Sequence, residues 1–442
     1  MKMEIFSAAG LIIAVAVLMI GAYKGLGALP LTLLAALVVI ITSGMPIWEG
    51  YATFYMGGYT GAYLNNFLLF AASSLYAEFM NVAGSASTIG YKFIDWFGKD
   101  RVLLVSVLII SVLTYGGVSL FVVVFAVAPI MFLLFKEADI PRHLTMGALI
   151  LGSATFTMTA LPGSPALTNV IPTQFLGTSL IASPVIGVIA ALLIFGLGMI
   201  YLTMQARKAK SNGERWTEPD EPTFTVASSG RDDLPSSFQA FTPLITLVLV
   251  IIVGSQYIDN STMLATIAMI IGAVLTYALN YSRYKNYDMK ALFTKGLGGG
   301  ISSIGGLAAV VAFGSVVQNS PAFSNIVTWL LGLDINAYLQ GVIATAAIAG
   351  VTGSSSGGLI IMYESLADHF TSLGINLNIL HRLTSLAAGS LDTLPHSPGL
   401  FLMLPYLGLT HKKAYKHVFA TSVLVPALVV AILVIVVIVS GI

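Results

Sequence analysis

The sequence predicts an all-α polytopic membrane protein built from two inverted-topology repeats, and three observations support this fold class. Of the 442 residues, 57% are hydrophobic and only 9% are charged, whereas soluble domains carry about 25% charged residues. Residues 161–165 (Leu-Pro-Gly-Ser-Pro) return 233 positions later as residues 394–398 (Leu-Pro-His-Ser-Pro). Lysine and arginine cluster in loops that one membrane topology brings to the same side.

The repeated motif predicts a helix break in each half of the chain. Proline removes a backbone donor and clashes with the carbonyl four residues before it, so two prolines three positions apart interrupt a helix. Inside a bilayer the freed N–H and C=O groups cost several kcal/mol each unless protein, water or a ligand satisfies them. Such a break at equivalent points of both halves therefore indicates a binding site.

Composition also limits the partners of the chain. A net charge of +1 gives no indication of nucleic acid, and the lipid bilayer is the expected surroundings. The absence of cysteine excludes disulfides and thiolate metal sites, and we expect neither a metal nor another cofactor. Residues 5–22 lack a small-residue cleavage pattern and are predicted to stay as a first span. The expected location is a cell membrane, with a bacterial inner membrane favoured.

The apolar runs and breaks divide the chain into five parts. Each predicted span approaches the roughly 20 residues needed to cross a bilayer, whereas the runs around the glycine tips are shorter and favour re-entrant helical hairpins. The parts are 1–61 (N-terminal spans), 62–204 (first repeat, with hairpin 102–135 and broken helix 144–178), 205–240 (hydrophilic linker), 241–295 (connecting spans and a basic loop) and 296–442 (second repeat, with hairpin 337–367 and broken helix 383–410).

The positive-inside rule predicts how these parts cross the membrane. With linker 205–240 in the cytoplasm, the other basic stretches also fall inside, and Arg382 is the one basic residue on the wrong side. We expect about ten spans and two hairpins that enter from opposite faces, with both termini outside. The basic stretches in question are 92–101, 136–143, 283–295 and 411–417.

Four glycine- or proline-rich breaks are expected to meet near the midplane and to bind the substrate. Half-helix N-termini and freed N–H groups hold a carboxylate without an arginine, and hydroxyls bind substrate hydroxyls or an ion. The alternative interpretation is that small residues only permit tight helix packing. The candidate substrate-binding residues are Thr114, Gly116, Gly117, Ser119, Gly163, Ser164, Thr168, Asn169, Ser354, Ser355, Ser356, Gly357, Thr393 and Ser397.

Ionisable residues near the second break are candidates for proton coupling. An ionisable group at membrane depth is costly and marks an ion or proton path. His396 is the first candidate proton carrier, with Asp392 orienting it or sharing the proton, and Glu364 in the second hairpin is a third candidate. A purely structural pair is the alternative. Four other groups are expected in solvated loops: Asp368, His369, His381 and His411.

Several of these segments resemble the gluconate permease family of the ion transporter superfamily. The resemblance is carried by residues 152–165 (Gly-Ser-Ala-Thr-Phe-Thr-Met-Thr-Ala-Leu-Pro-Gly-Ser-Pro), by Gly116-Gly117 before a Phe/Val run with Pro129, and by the glycine/serine tip 353–358. It implies proton-coupled uptake of small hydroxy acids by an elevator movement, in a homodimer. Residues 394–399 replace the His-x-Asn-Asp-Ser-Gly element of the sugar-acid carriers, so the chain looks more like the hydroxybutyrate permease branch, with a smaller and less hydroxylated substrate.

Three functions other than proton symport are considered. Sodium could replace the proton, because serine hydroxyls and carbonyls of residues 353–358 are oxygen ligands. A channel is less favoured, since two non-identical tips form no repeated filter around an axis. A hydrolase using Ser397 is disfavoured because His396 is its immediate neighbour in sequence and projects differently. We therefore expect a transporter and not an enzyme.

Overall fold

The structure is a computed structural model that describes residues 2–118, 120–219, 233–254, 256–258, 260–285 and 287–441. Its regular elements are helices, and no strand occurs among these residues. Candidate residue Ser119 lies outside the described residues.

Nine helices of more than one turn occupy the described part of the first half. They are α1 (Lys2–Tyr23), α2 (Ala28–Thr42), α3 (Ile47–Ala83, with a π-helical stretch at Gly50–Tyr55), α4 (Ser85–Phe97), α5 (Val102–Tyr115), α6 (Leu120–Glu137), α7 (His143–Ser153), α8 (Leu167–Leu176) and α9 (Pro184–Ser211).

The described part of the second half repeats this order of long and short helices. Helix α2 begins at residue 28 and its counterpart α11 at residue 261, which is 233 positions later. The helices are α10 (Ser237–Gly254), α11 (Ser261–Leu279), α12 (Met289–Gln318), α13 (Pro321–Leu331), α14 (Ala337–Thr352), α15 (Ser355–Ser372), α16 (Leu377–Leu391), α17 (Pro398–Tyr406) and α18 (His411–Ser440).

The helices make the chain a multi-pass membrane protein. Seven helices of the described residues are long and apolar enough to cross a membrane, or up to eight if the pair α3 and α4, bent by 70°, counts as one span. Large apolar side chains such as Leu64 and Val439 are each 81% exposed on the outside, as expected for a surface in contact with lipid. The predicted ten spans also include short helices, and each broken helix counts there as one span.

Helices α3 and α12 pack closely along their length through glycine. A Cβ added to Gly300 would lie 2.7 Å from the Cα of Ala71, so only hydrogen fits at this contact. Further along, the Lys295 ammonium lies 2.9 Å from the carboxylate of the buried Glu78. Small residues that let helix backbones approach are typical of membrane interfaces, and this pair forms one wall of the central cavity.

The predicted hairpin and broken-helix segments have somewhat different bounds in the structure. Helix α15 begins at Ser355 and runs to Ser372, so the second arm is longer than expected and Ser355, Ser356 and Gly357 belong to its first turn. The reason is Ser354, whose hydroxyl caps the helix by accepting from the Gly357 N–H at 3.2 Å. The chain reverses at Gly353, where φ is +64°.

In the first broken helix, the regular α-helix before the break ends earlier than the proline motif predicts. Helix α7 ends at Ser153, and a π-helical stretch follows at Phe156–Ala160 before the prolines. The hydroxyls of Ser153 and Thr155 donate to the carbonyls four residues earlier, both at 2.6 Å. Such back-bonding bends helices, so hydroxyl-rich sequence interrupts the helix before the prolines do.

Arg382 and His381 are buried and not solvated, which corrects the loop prediction for His381. The guanidinium of Arg382 donates to the Ala182 carbonyl from Nε at 3.2 Å and from Nη2 at 3.0 Å. His381 Nδ1 lies 2.8 Å from the hydroxyl of Thr178. These contacts join the loop after α8 to the start of α16, and the two segments are predicted on the same outer face.

Candidate functional site

A cavity of about 420 Å³ lies where the four predicted breaks come together. Residues from both hairpin turns and from both broken helices line it, together with side chains of α3 and α12. The lining includes Asn66, Thr114, Gly117, Leu120, Phe121, Met158, Leu167, Thr168, Leu307, Val311, Gln318, Thr352, Ser354, Ser355, Ser356, Gly357, Asp392, Thr393, Ser397 and Pro398.

Four helices begin at this cavity. The first residues of α6, α8, α15 and α17 are Leu120, Leu167, Ser355 and Pro398, and all four line it. The first N–H groups of a helix have no partner within the helix, and the aligned peptide dipoles leave a partial positive charge there. Four such ends directed at one cavity make it attractive to an anion.

Each hairpin turn packs against the break of its own half. At the first break, Gly117 has φ +95°, and a Cβ there would lie 3.0 Å from Cγ of Pro165. Tyr115 donates its hydroxyl to the Pro162 carbonyl at 3.0 Å. At the second break, Ser397 donates its hydroxyl to the Gly353 carbonyl at 3.2 Å. The two turns and the two breaks are therefore held together as matching pairs.

Helices of the two halves also contact each other next to the cavity. Ser385 of α16 donates its hydroxyl to the Thr168 carbonyl at the start of α8, at 2.8 Å. The rings of Phe175 and Tyr363 stack at 5.6 Å between α8 and α15. A movement of one broken helix therefore disturbs the other half.

Asp392 is the one ionisable residue among the described residues that line the cavity. It follows α16 as its C-cap, where the helix dipole is negative and disfavours an anion. The carboxylate is 8% exposed, faces the Ser355 side chain, and has no hydrogen-bond partner for Oδ1 among the described residues. A buried carboxylate oxygen without a partner is costly, so the position favours a proton or a cation on Asp392.

His396 lies behind the cavity and not in its lining. The side chain is 1% exposed, and its ring lies against the carbonyls of Gly350 and Val351 without completing a hydrogen bond to either. Both ring nitrogens are unpartnered among the described residues. The structure thus separates the two candidate proton carriers, with Asp392 facing the cavity and His396 enclosed by protein.

The structure brings ten of the predicted site residues to the cavity. Seven are candidate substrate-binding residues from the hairpin turns and the starts of α8 and α15, and three belong to the second break. They are Thr114, Gly117, Thr168, Ser354, Ser355, Ser356, Gly357, Asp392, Thr393 and Ser397.

Other predicted site residues lie outside the cavity lining. Gly116 precedes the lining residue Gly117, Gly163 lies two positions before the lining residue Pro165, and Ser164 is buried. Asn169 is fully buried, and its side chain makes structural hydrogen bonds. Its Nδ2 donates to the carbonyls of Ser164 and Leu180, at 2.8 and 2.9 Å, and its Oδ1 lies 3.0 Å from His381 Nε2.

Glu364 is also remote from the cavity, and one predicted loop histidine is buried. Glu364 is exposed on α15, because it falls on the face opposite the buried Met362 and Tyr363. His411 is 6% exposed, and its Nε2 lies 2.9 Å from the Pro395 carbonyl. His411 therefore supports the second break and is not solvated.

Sequence reasoning missed the wall that α3 and α12 contribute. Asn66 and Gln318 line it with their amides, and Leu307, Val311 and Phe121 of α6 make the nearby surface apolar. The signal available in the sequence was an amide within an otherwise apolar span, as at Asn66. Whether the Asn66 side chain faces the cavity or the lipid depends on how the helices pack, which the sequence of this span does not determine.

The described residues hold no group of three or more His, Cys, Asp or Glu side chains arranged for a metal ion. The oxygen-rich part of the cavity consists of hydroxyls, carbonyls and Asp392. Such hard oxygen ligands suit a hydrated alkali cation or a proton better than a transition metal.

A polytopic chain with a cavity closed by broken helices is the architecture of a membrane transporter. Comparison with known proteins agrees with this class. The chain is 31% identical over 459 aligned positions to the "Uncharacterized transporter YxjC" of Bacillus subtilis (strain 168), an alignment that covers 96% of this chain and 97% of that protein. The chain therefore belongs to the same family of transporters. No protein-family model matches it.

Proposed function

We propose that the chain is a secondary active transporter that carries a small hydroxy monocarboxylate together with a proton. The observation that supports this most is the cavity at which four helix N-termini meet a single ionisable residue, Asp392. The likeness to a named transporter supports transport as such, and the resemblance of residues 152–165 to gluconate permeases supports a hydroxy acid as the cargo.

The substrate carboxylate would bind at the helix N-termini. No lysine or arginine lines the cavity among the described residues, so the N–H groups and hydroxyls at the starts of α15 and α17 supply the attraction. The hydroxyls of Ser355 and Ser356 add donors without adding charge.

Asp392 would couple substrate to proton by charge repulsion. Two carboxylates within one cavity of about 420 Å³ cannot both stay ionised at low cost, so an anionic substrate raises the proton affinity of Asp392. The loaded site then carries one negative charge fewer than it would with both groups ionised. His396, enclosed behind the same break, is proposed as a second proton acceptor during release.

The lining favours a short acid with an apolar end. Leu307, Val311 and Phe121 contribute apolar side chains to the lining, on other helices than the serines, and Asn66 and Gln318 contribute two amides. A 3-hydroxybutyrate-like acid has one hydroxyl for an amide and a methyl group for the apolar surface. Gluconate would leave several hydroxyls against carbon, which costs free energy.

Sodium coupling is the second candidate, and one observation favours it. Helices α14 and α16 end at Thr352 and Leu391, beside Asp392. The free carbonyls of two helix C-termini next to a carboxylate are suitable oxygen ligands for a cation.

Elevator movement and a homodimer belong to the same proposal. Both come from the family resemblance, in which the hairpins and broken helices move together against the remaining helices. Cross-linking of single-cysteine variants is practical because the chain has no native cysteine. A fixed dimer contact with a sliding cavity contact is the expected pattern.

The proposal is tested by uptake into proteoliposomes. Labelled 3-hydroxybutyrate and gluconate are offered with imposed pH and sodium gradients varied separately. We expect saturable 3-hydroxybutyrate uptake driven by an inward proton gradient, and weaker gluconate uptake. Uptake that follows sodium alone would replace the proton by the second candidate, and uptake of neither acid under any gradient would contradict the proposed substrate class.

A further inference from the structure

Four side chains form a hydrogen-bonded chain away from the cavity. His143 Nε2 lies 3.0 Å from the Glu214 carboxylate, and His143 Nδ1 lies 2.8 Å from His417 Nε2. His417 Nδ1 lies 3.1 Å from the Tyr201 hydroxyl. The two imidazole rings stack with centroids 4.9 Å apart at an interplanar angle of 11°.

The acceptor at one end fixes the direction of every bond in the neutral state. An ionised Glu214 only accepts, so His143 donates from Nε2 and accepts at Nδ1 from His417 Nε2–H. His417 Nδ1 then accepts from the Tyr201 hydroxyl. With both imidazoles neutral, every nitrogen in the chain has a partner.

The same chain accepts one more proton without losing a bond. When His143 carries a proton on both nitrogens, it donates to Glu214 and to His417 Nε2, and His417 Nδ1–H donates to the Tyr201 oxygen. The Tyr201 hydroxyl then turns to the Lys416 carbonyl, which lies 3.3 Å away. The chain therefore has two complete hydrogen-bonded states that differ by one proton.

Glu214 belongs to the segment that follows α9, and this segment docks on the loop between α6 and α7. The Arg215 guanidinium lies 2.9 Å from the Asp139 carboxylate. The Trp216 ring packs edge-on against Phe132, with centroids 5.3 Å apart. The strength of the Glu214 contact thus affects how residues 212–219 attach to the body of the protein.

Charged groups around the histidines act in both directions. Glu214 is negatively charged, whereas Lys416 and Arg142, the sequence neighbours of the two histidines, are positively charged. The hydrogen bond from His143 lowers the pKa of Glu214 below its ordinary range. Glu214 therefore stays ionised at and above the ordinary pH range of carboxylate titration. Its contact with His143 is lost only in stronger acid.

We propose that the Tyr201–His417–His143–Glu214 chain is a binding site for one exchangeable proton, and that protonation tightens the attachment of residues 212–219. The imidazolium–carboxylate bond is charge-assisted and stronger than the bond from a neutral imidazole. The site is separate from the cavity, so it does not depend on which acid or ion is transported. It gives the transporter a response to the pH on the side of the membrane where residues 212–219 lie.

The test uses the fluorescence of Trp216 in a variant with Trp48, Trp96 and Trp329 changed to Phe. Acrylamide quenching of Trp216 is measured between about pH 8 and pH 5 in the full-length protein. We expect quenching to fall on acidification through a one-proton transition, because the protonated state holds residues 212–219 more tightly. His143→Gln and His417→Gln should abolish the transition.

Two further variants make the result decisive. Tyr201→Phe keeps the ring and removes the acceptor that the protonated state needs, so the midpoint should fall while folding is preserved. His369→Gln, at a histidine whose Nε2 lies 3.0 Å from Gln340 on another surface, should leave the titration unchanged. Quenching that is independent of pH in the wild-type background, or a transition that survives in both His143→Gln and His417→Gln, would overturn the proposal.

Discussion

Asp392 combines three features that rarely occur together: burial, a helix C-terminus, and a carboxylate oxygen without a hydrogen bond among the described residues. Each of them disfavours a fixed negative charge. An aspartate kept there for packing alone would be better replaced by asparagine. The position is more easily explained if the carboxylate gains and loses a cation or a proton during transport.

Replacing Asp392 by Asn should separate binding from coupling. The amide mimics the protonated acid, so exchange of external for internal substrate should continue. Accumulation driven by a pH gradient should be lost, because the amide carries no proton. Uptake and counterflow in the same proteoliposomes measure both. Asp368→Asn, on the exposed face of α15, is the matched control, and proton-driven accumulation by Asp392→Asn would refute the assignment.

Asn169 shows the opposite case, a predicted site residue whose side chain is used for structure. Asn169→Ala removes the two amide donations and the Oδ1 contact with His381, leaving buried groups unsatisfied. We expect a loss of about 1–3 kcal/mol in stability, seen as a lower unfolding temperature, with little change in KM. Asn65→Ala, at an exposed asparagine on α3, should change neither the unfolding temperature nor KM. A raised KM at unchanged stability would return Asn169 to the binding site.

At the scale of the elements, each hairpin turn fits against a break through a glycine where a side chain would make a tight contact. Gly353 has φ +64°, and a Cβ there would lie 3.2 Å from the Ser397 Cα and 3.3 Å from the Pro398 Cδ. The turn and the break therefore form one unit. Its geometry fixes the start of α15 relative to the start of α17.

Gly353→Ala and Gly374→Ala form a matched pair. Both glycines have nearly the same positive φ, +64° and +65°, but nothing lies within 4 Å of a Cβ at Gly374. Each substitution should cost about 1–2 kcal/mol for the left-handed backbone. Only Gly353→Ala should also reduce transport, because its Cβ separates the turn from the break. Equal transport in the two variants would show that the contact is not needed.

The prolines in residues 161–165 and 394–398 were sufficient to predict the two breaks, because proline interrupts helices whatever surrounds it. The helix-initiating Ser354 and the bending hydroxyls of Ser153 and Thr155 depend on local geometry, and the bounds around them shifted. Asn66, Gln318 and the burial of His381 could not be predicted, since the helix face that meets the cavity or the core is decided by packing between distant segments.

For the whole molecule, the loop contacts agree with the predicted sidedness. Residues 212–219 meet the loop before α7 and its first residue His143, which in turn meets His417 of α18, and these segments are all predicted inside. His381 and Arg382 meet residues 178–182, which are predicted outside together with the start of α16. Inversion of the two halves is a prediction that goes beyond these contacts.

Ser179 and Lys412 test the inversion directly, because they are 233 positions apart and so correspond in the two halves. A cysteine at 179 should react with a membrane-impermeant maleimide from outside, and a cysteine at 412 only from the cytoplasmic side. Both positions are exposed, and the cysteine-free chain gives no background. Labelling of both positions from the same side would contradict the inverted repeat.

The central claim is that an anionic acid and a proton cross together, and the most direct test follows the proton itself. A pH-sensitive dye inside proteoliposomes is read when 3-hydroxybutyrate is added outside, with no imposed gradient and with protein-free liposomes to subtract passive entry of the acid. Substrate-dependent acidification of the lumen, absent in Asp392→Asn, is the predicted result. Uptake of labelled substrate without acidification beyond the protein-free control would contradict proton symport.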